Sequence, residues 1–426
     1  MLTRFCLVTL FSLNVLVSAN ASDQIPGAQQ TKPIAITGVV IHTMSGKAIE
    51  NGMVIFDSGK FTEVGKQTEI PAGAEIIKAE GKHLYPSLIE AHSDIGLVEI
   101  NSIRATIDSR ELGTMNPNAR SAVAFNPDSE IIPVNRANGI LLALSAPMGG
   151  MLAGRSSLMM LDGWTWEDMT LKADTGMHMT WPRDNKQLKE LETILDQAAR
   201  YRAGRTSDKI TLPIDLRLDA LIRVLDRTLP LIVDANSLGQ IEAAVAFAQQ
   251  RNLKLIIHGG YQAPHCAELL KQADVPVIIG GVYRAPAERD QPYDDAYTLP
   301  KRLSDAGVRF CISARGRFGA SGMRNLPYHA ATAAAFGLEK EEALKAITTY
   351  PAEILGVADR VGTIAVERDA TFFIADGDIL ETETQVELAF VQGRKVDLDN
   401  RHQQLYRKYN EKYDRLSEEA KVNGGR

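Results

Sequence analysis

The stretch Leu84-Tyr-Pro-Ser-Leu-Ile-Glu-Ala-His-Ser-Asp-Ile-Gly-Leu97 decides how the rest of the chain is read. Its apolar run from Leu84 to Ala91, broken early by Pro86, has the character of a buried strand that delivers polar side chains at its carboxyl end. Residues i and i+2 of a strand share a face, so His92 and Asp94 can converge on one ion or one substrate. A plain structural reading stands beside this one, with Asp94 capping the next turn and His92 a hydrogen-bonded core imidazole.

Working outward, the segments on either side of this strand differ from the middle of the chain. From Ile34 to Ile77, short β-rich runs such as Ile36–His42 and Asn51–Phe56 alternate with turn signals, and Val361–Ala365, Ala370–Ala375 and Val386–Val396 repeat that character near the other end. Two β-rich segments flanking the middle imply that both ends of the mature chain meet in one small discontinuous β-sandwich domain, residues 34–82 plus 359–396. Between them, over 83–358, strand candidates (Ile140–Ala146, Ser157–Leu161, Leu229–Val233, Leu253–Ile257, Val275–Ile279 and Val308–Ile312) alternate with helical patterns such as Lys186–Tyr201 and Gly239–Arg251. Such alternation calls for a parallel sheet with helices outside, and this many units close into a TIM-like (β/α)8 barrel of the α/β class. The loop-rich stretch Arg104–Asn138 follows the first strand and is expected over the carboxyl face, where barrel active sites lie.

The address is read from the beginning of the chain. Arg4, the apolar run Phe5–Val17 and the small residues Ala19 and Ala21 have the layout of a secretory signal peptide over residues 1–21, which implies an exported, periplasmic or secreted protein. An uncleaved anchor is the other reading, although the run is short for a spanning helix. Residues 22–33 are polar and have no periodicity, as a linker would. Without residues 1–21 the chain carries 46 basic and 53 acidic side chains, a mild acidity that argues against nucleic acid or an anionic membrane as partner. Two cysteines then remain, Cys266 and Cys311, expected to be buried and inert although an oxidising compartment would let them pair. Over 397–426, Leu405, Tyr409, Tyr413 and Leu416 recur at helical intervals and predict a charged surface helix.

The segment Tyr85–Asp94 resembles the first-strand signature of the amidohydrolase superfamily, P-G-[LF]-I-D-x-H-x-H, with Ser87 at the Gly and Asp94 at the second His. Further segments, among them Val134–Ile140, Leu161–Trp166 and Arg324–Ala330, resemble its imidazolonepropionase-like exported branch, and Pro351–Gly356 resembles the late signature that returns the chain from the barrel to the β-sandwich. The resemblance implies a barrel holding one or two divalent metals, zinc or similar, at its carboxyl face, and hydrolysis of a carbon–nitrogen bond other than a peptide bond. It also implies ligand positions, which this chain fills differently. Pro230-Leu-Ile-Val-Asp-Ala-Asn236 is similar to the strand-five motif P-x-x-V-H-A-N, with Asp234 in place of the histidine, and His258 ends the apolar run of strand six. The implied metal set is therefore His92, Asp94, Asp234 and His258.

Strand eight departs furthest. Phe310-Cys-Ile-Ser-Ala-Arg-Gly316 stands where the family has I-S-S-D, and no Asp or Glu occurs from Gly307 to Leu338. Arg315 and Arg317 are there instead. A guanidinium is permanently charged and has no lone pair for a metal, so an Arg at this place repels a cation or holds a carboxylate or phosphate. Arg315 and Arg317, with Trp164, are candidate pocket residues, whereas His265 and His329 are expected to be solvent or packing residues. Two functions stay open: a hydrolase with an altered metal site, and an inactive amidohydrolase-like binding or partner subunit. A small-molecule ligand is expected in both, and self-association or pairing with an intact homologue is left open.

Overall fold

The protein is described by a computed structural model covering residues 24–66, 69–206, 212–314, 316 and 319–423. The expected signal peptide, Arg315 and Arg317 lie outside these described residues.

Five strands precede the barrel: β1 (Ile34–Ile41), β2 (Ile49–Asp57), β3 (Lys60–Gly65), β4 (Glu75–Lys78) and β5 (His83–Pro86). The barrel sheet follows with β6 (Leu88–Ser93), β7 (Ile140–Ser145), β8 (Leu152–Met160), β9 (Thr170–Thr180), β10 (Leu231–Ala235), β11 (Leu255–Gly259), β12 (Val277–Ile279) and β13 (Phe310–Ile312). Near the end come β14 (Phe372–Ala375), β15 (Val386–Val391) and β16 (Arg394–Lys395).

The first sheet runs β16-β15-β14-β5-β1-β2-β3, with β4 also paired to β1. The two ends of the chain meet where β14 pairs antiparallel with β5, Phe372 opposite Pro86 and Ile374 opposite Leu84. Alternation puts Phe56, Phe61, Phe372 and Phe390 on the inner face, where all four are fully buried. Phe372 and Phe390 stack with ring centroids 5.0 Å apart, and Phe56 meets both edge-on. Aromatic pairs at such distances add to the area they bury. This sheet with its own apolar core is the β-domain expected from both chain ends.

The second sheet runs β13-β12-β11-β10-β9-β8-β7-β6 and nearly closes on itself. Seven of its strands are parallel, but β8 runs antiparallel to both β7 and β9. The expected (β/α)8 alternation therefore holds except here. Only nine residues connect β8 to β9, too few for the crossover that a parallel pair requires. The sequence reading assigned no strand to Thr170–Thr180, whose Lys172, Asp174 and Gly176 interrupt any apolar run.

Between β6 and β13 the described residues form no backbone ladder, and the seam is bridged in two other ways. Ile89 N donates to Ile347 O and Ile312 N to Ala346 O, each at 2.9 Å, so the 346–347 turn ties both strands. At the carboxyl end the Glu90 side chain crosses the seam, accepting from Ser313 Oγ and from Ala314 N at 2.8 Å. Residues 24–33, expected as a linker, carry no regular structure yet are bonded to the body, with Gly27 N donating to Asp162 and Gln30 Nε2 to Phe56 O. Cys266 and Cys311 are both free and buried, and burial beside Glu90 pushes the Cys311 thiol up.

Candidate metal centre

Three of the four residues in the expected metal set come together. His92 is the penultimate residue of β6, Asp234 lies on β10 and His258 on β11, and one ligand atom from each lies within 4.8 Å of the others. The register explains the grouping, because Asp234 and His258 are direct neighbours across the parallel β10–β11 pair. Asp234 Oδ1 contacts His258 Nδ1, and the His258 ring stacks on His92 with centroids 3.9 Å apart and planes 12° off parallel. His92 and His258 are buried, whereas Asp234 is partly open to solvent.

Asp94 is the fourth, and it is placed elsewhere. β6 ends at Ser93, so strict alternation no longer governs the next side chain. Asp94 Oδ1 accepts from Ala320 N at 2.6 Å, in the loop that follows β13. Gly319 allows this contact: its φ is +56°, and a Cβ there would lie 2.6 Å from Asp94 Oδ2. The carboxylate thus anchors the loop after strand eight.

Glu90 and His178 were not singled out in the sequence. Glu90 shares the inward face of β6 with His92, is fully buried, and accepts from His92 N at 3.0 Å as well as from Ser313 and Ala314. It thereby occupies the end of strand eight with a carboxylate supplied by strand one. The acidic position of the first-strand signature was the signal available for it. His178, on β9, pairs in register with Ile232, two residues before Asp234 on the same face, and its buried ring meets His92 edge-on at 5.0 Å. No sequence signal marked it, because β9 itself was not recognised.

Two cavities open on either side of Asp234. One of about 440 Å³ is lined by His92, His178, Trp181, Arg110 and Arg183, and a second of about 520 Å³ by His258, Asn236, Tyr261 and Gly280. Both lie in the size range of small-molecule sites. Arg110 and Thr114 reach the first from the loop-rich stretch after β6, which therefore lies over the carboxyl face as expected.

Trp164 lines neither cavity. It is 66% exposed and borders a cleft of about 130 Å³ with Pro26, Ser129 and Asp162, because the turn between β8 and β9 points away from the carboxyl face. Among the strand-eight arginines that are described, Arg309 pairs with Asp274 on the surface and Arg324 contacts His402. His265 is exposed; His329 is buried, accepts from Val282 N at 3.1 Å, and is pushed down to about 4 by burial.

The chain is similar to known proteins in part of its sequence and in its fold. Residues 245–399 match the amidohydrolase family model. Amidohydrolase TasK of Hapsidospora irregularis is 23% identical over 382 residues, 77% of this chain but 38% of that protein, so this chain spans well under half of that relative. Imidazolonepropionase of Mesorhizobium japonicum is 23% identical over 369 residues, covering 77% of this chain and 87% of the enzyme. In fold, an amidohydrolase from Thermotoga maritima superposes with a TM-score of 0.77 at 22% identity, covering 85% of this chain and 99% of that one. The late part of the chain thus matches the amidohydrolase family model, and its barrel, with a second sheet built from both chain ends, shares the fold of a solved amidohydrolase.

Proposed function

We propose that the protein hydrolyses a carbon–nitrogen bond other than a peptide bond in a small molecule, at a single divalent metal held by His92, Asp234 and His258. The observation that carries this is the convergence of these three side chains, from three different strands, at the mouth of two cavities. The donor set fits the ion. Two imidazoles and one carboxylate form a ligand triad known for catalytic zinc, and ligands at roughly 2.0–2.2 Å from an ion lie about 3.5 Å apart, within a small side-chain adjustment of the spacing seen. When bound, a divalent cation supplies Lewis acidity, polarising the scissile carbonyl and acidifying water.

The chain's own residues do the rest. Asp234 Oδ1 holds His258 Nδ1, which fixes the imidazole's orientation and leaves Nε2 as its ligand atom. Glu90 holds His92 through its backbone N–H and locks the strand-eight end against β6, so the histidine is carried on a rigid wall. Arg110 and Arg183 line the first cavity together with Glu190 and Asp234, so its wall carries charges of both signs and suits a polar substrate. The signal-like segment Met1–Ala21 supports export, with this chemistry performed outside the cytoplasm.

The test is metal stoichiometry of the purified mature protein together with turnover of a panel of cyclic amides, ureas and amidines. About one zinc, iron or manganese per chain, lost in His258→Ala along with turnover, is the expected result. A ratio near zero under metal-replete conditions removes the hydrolase reading. A second reading, a binding or partner subunit without catalysis, is favoured by one observation: Glu90 is engaged with Ser313 and Ala314, and the described end of strand eight supplies no acid of its own to carry a proton. That reading predicts ligand binding by a chain that turns over none of the panel.

A further inference from the structure

We infer that Tyr261 donates a hydrogen bond to the scissile carbonyl oxygen of the substrate, and that this oxygen sits above Gly280 in the second cavity, an assignment that rests on the metal-dependent hydrolase reading above. The place is defined by a missing side chain. Gly280 follows β12, and a Cβ built on it would lie 3.1 Å from Tyr261 Oη and 3.6 Å from His258 Nε2. Its φ is not in the left-handed region, so the backbone does not call for glycine there and the residue keeps a space open instead. His258 Nε2, which borders that space, is buried and has no hydrogen-bond partner among the described residues.

Both distances fit an oxygen. An atom 3.6 Å from His258 Nε2 stands at the separation of two ligands on one ion, about 3.5 Å for bonds of roughly 2.0–2.2 Å. An atom 3.1 Å from a phenol is a small shift away from accepting its O–H. A carbonyl oxygen over Gly280 therefore meets the ion and the hydroxyl together. Tyr261 is held for this contact. It stands two residues after β11, and the Arg284 guanidinium lies over its ring, 3.6 Å from the centroid, which pins the ring plane and with it the direction of the C–O bond. The hydroxyl donates to Gly281 O at 3.2 Å, longer than the usual O–H···O distance of about 2.7–2.8 Å. Little is lost when that proton turns about the C–O bond toward an oxygen that gains negative charge in the transition state. Among the described residues, the segment after β13 lines this cavity with Gly316 alone, so the donor comes from strand six. The acceptor chemistry narrows the substrate. A carbonyl oxygen accepts from Tyr261, whereas a protonated amidine, like a guanidinium, has no lone pair to offer, so amides and ureas are the class and amidines are poor substrates.

Zinc content, binding of acetohydroxamate by titration calorimetry, and steady-state kinetics on the full mature chain and two variants test this. Acetohydroxamate is a small chelator whose carbonyl oxygen takes the place of the substrate's. Tyr261→Phe keeps the ring and its stack on Arg284 but lacks the O–H. It should hold the same zinc, bind acetohydroxamate roughly tenfold more weakly, and turn over a cyclic amide with kcat lower by roughly 100-fold and KM little changed. Gly280→Ala puts a methyl group on the oxygen's place and should keep zinc while losing acetohydroxamate. Unchanged acetohydroxamate affinity in Tyr261→Phe overturns the inference and leaves the metal reading standing, because the ring then only packs; turnover of amidines as fast as amides overturns it too. A parent chain that holds no zinc and binds no acetohydroxamate removes the metal reading and this one with it. The acetohydroxamate measurement decides even where no compound of the panel is turned over, and where circular dichroism shows Gly280→Ala unfolded, Tyr261→Phe decides alone.

Discussion

At the scale of single residues, the site divides into side chains that reach the cavity and side chains that hold them. Asp234 does both, and removing its charge while keeping its size isolates the effect. Asp234→Asn should lower metal affinity by more than the roughly 10–100-fold that losing a carboxylate orienting a ligating histidine costs, since it also weakens a ligand, read by competition with a metal indicator. Glu90→Gln tests the holding role. Its carboxylate meets three donors in a fully buried place, and an amide would turn an N–H₂ toward at least one of them, so a loss of roughly 2–3 kcal/mol is expected in urea denaturation. The legibility of these residues follows from where they stand. His92 and His258 end apolar runs, and a polar residue closing a buried strand is visible in sequence. Asp94 was placed with His92 because alternation was extended one residue past the strand, and nothing in the local sequence shows that Gly319 lies waiting for its carboxylate.

At the scale of elements, the largest departure is the β8–β9 hairpin. β9 keeps its parallel pairing to β10 while its first half carries charge, with Asp174 receiving Arg120, Arg155 and Arg223. Those charges hid the strand and with it His178; an apolar-run criterion has no purchase on a segment that gathers arginines at Asp174 and carries a lone histidine four residues on. The helix after strand eight carries a pH-sensitive contact that can be tested separately from the metal centre. His329 Nδ1 accepts from Val282 N, so the ring must be neutral for this bond to exist. Its pKa is lowered from 6.5 to about 4 in the folded chain, hence between those values the unfolded state binds more protons and stability falls as pH falls. The loss builds from about pH 6.5 and is complete below about 4, roughly 3 kcal/mol in all. Urea midpoints measured across this window should fall with acid in the parent, and the slope should flatten in His329→Asn.

At the scale of the whole molecule, the two chain ends cooperate in one sheet. That both ends form one sheet was legible because β-rich runs with turn signals stand at each end of an α/β middle. The closure of the barrel was not legible, since it depends on a side chain and a turn bridging the seam rather than on a ladder. The pairing of β14 with β5 makes the late segment part of the fold's support: β5 leads within two residues into β6, the strand that carries His92. Phe372→Ala removes one wall of the aromatic cluster and should cost about 3–5 kcal/mol. The larger test is to end the chain at two places. Ending it after residue 358 deletes β14–β16, leaves the β5 edge and the rings of Phe56 and Phe61 uncovered, and should yield insoluble protein. Ending it after residue 400 removes a helix whose residues from Tyr406 to Glu418 bury nothing against the body, and should leave the unfolding midpoint and metal content unchanged. A chain ending at 400 that fails to fold would mean that the helix supports the body through contacts at its first turn, and a chain ending at 358 that folds and keeps its metal would mean that the barrel stands without the second sheet.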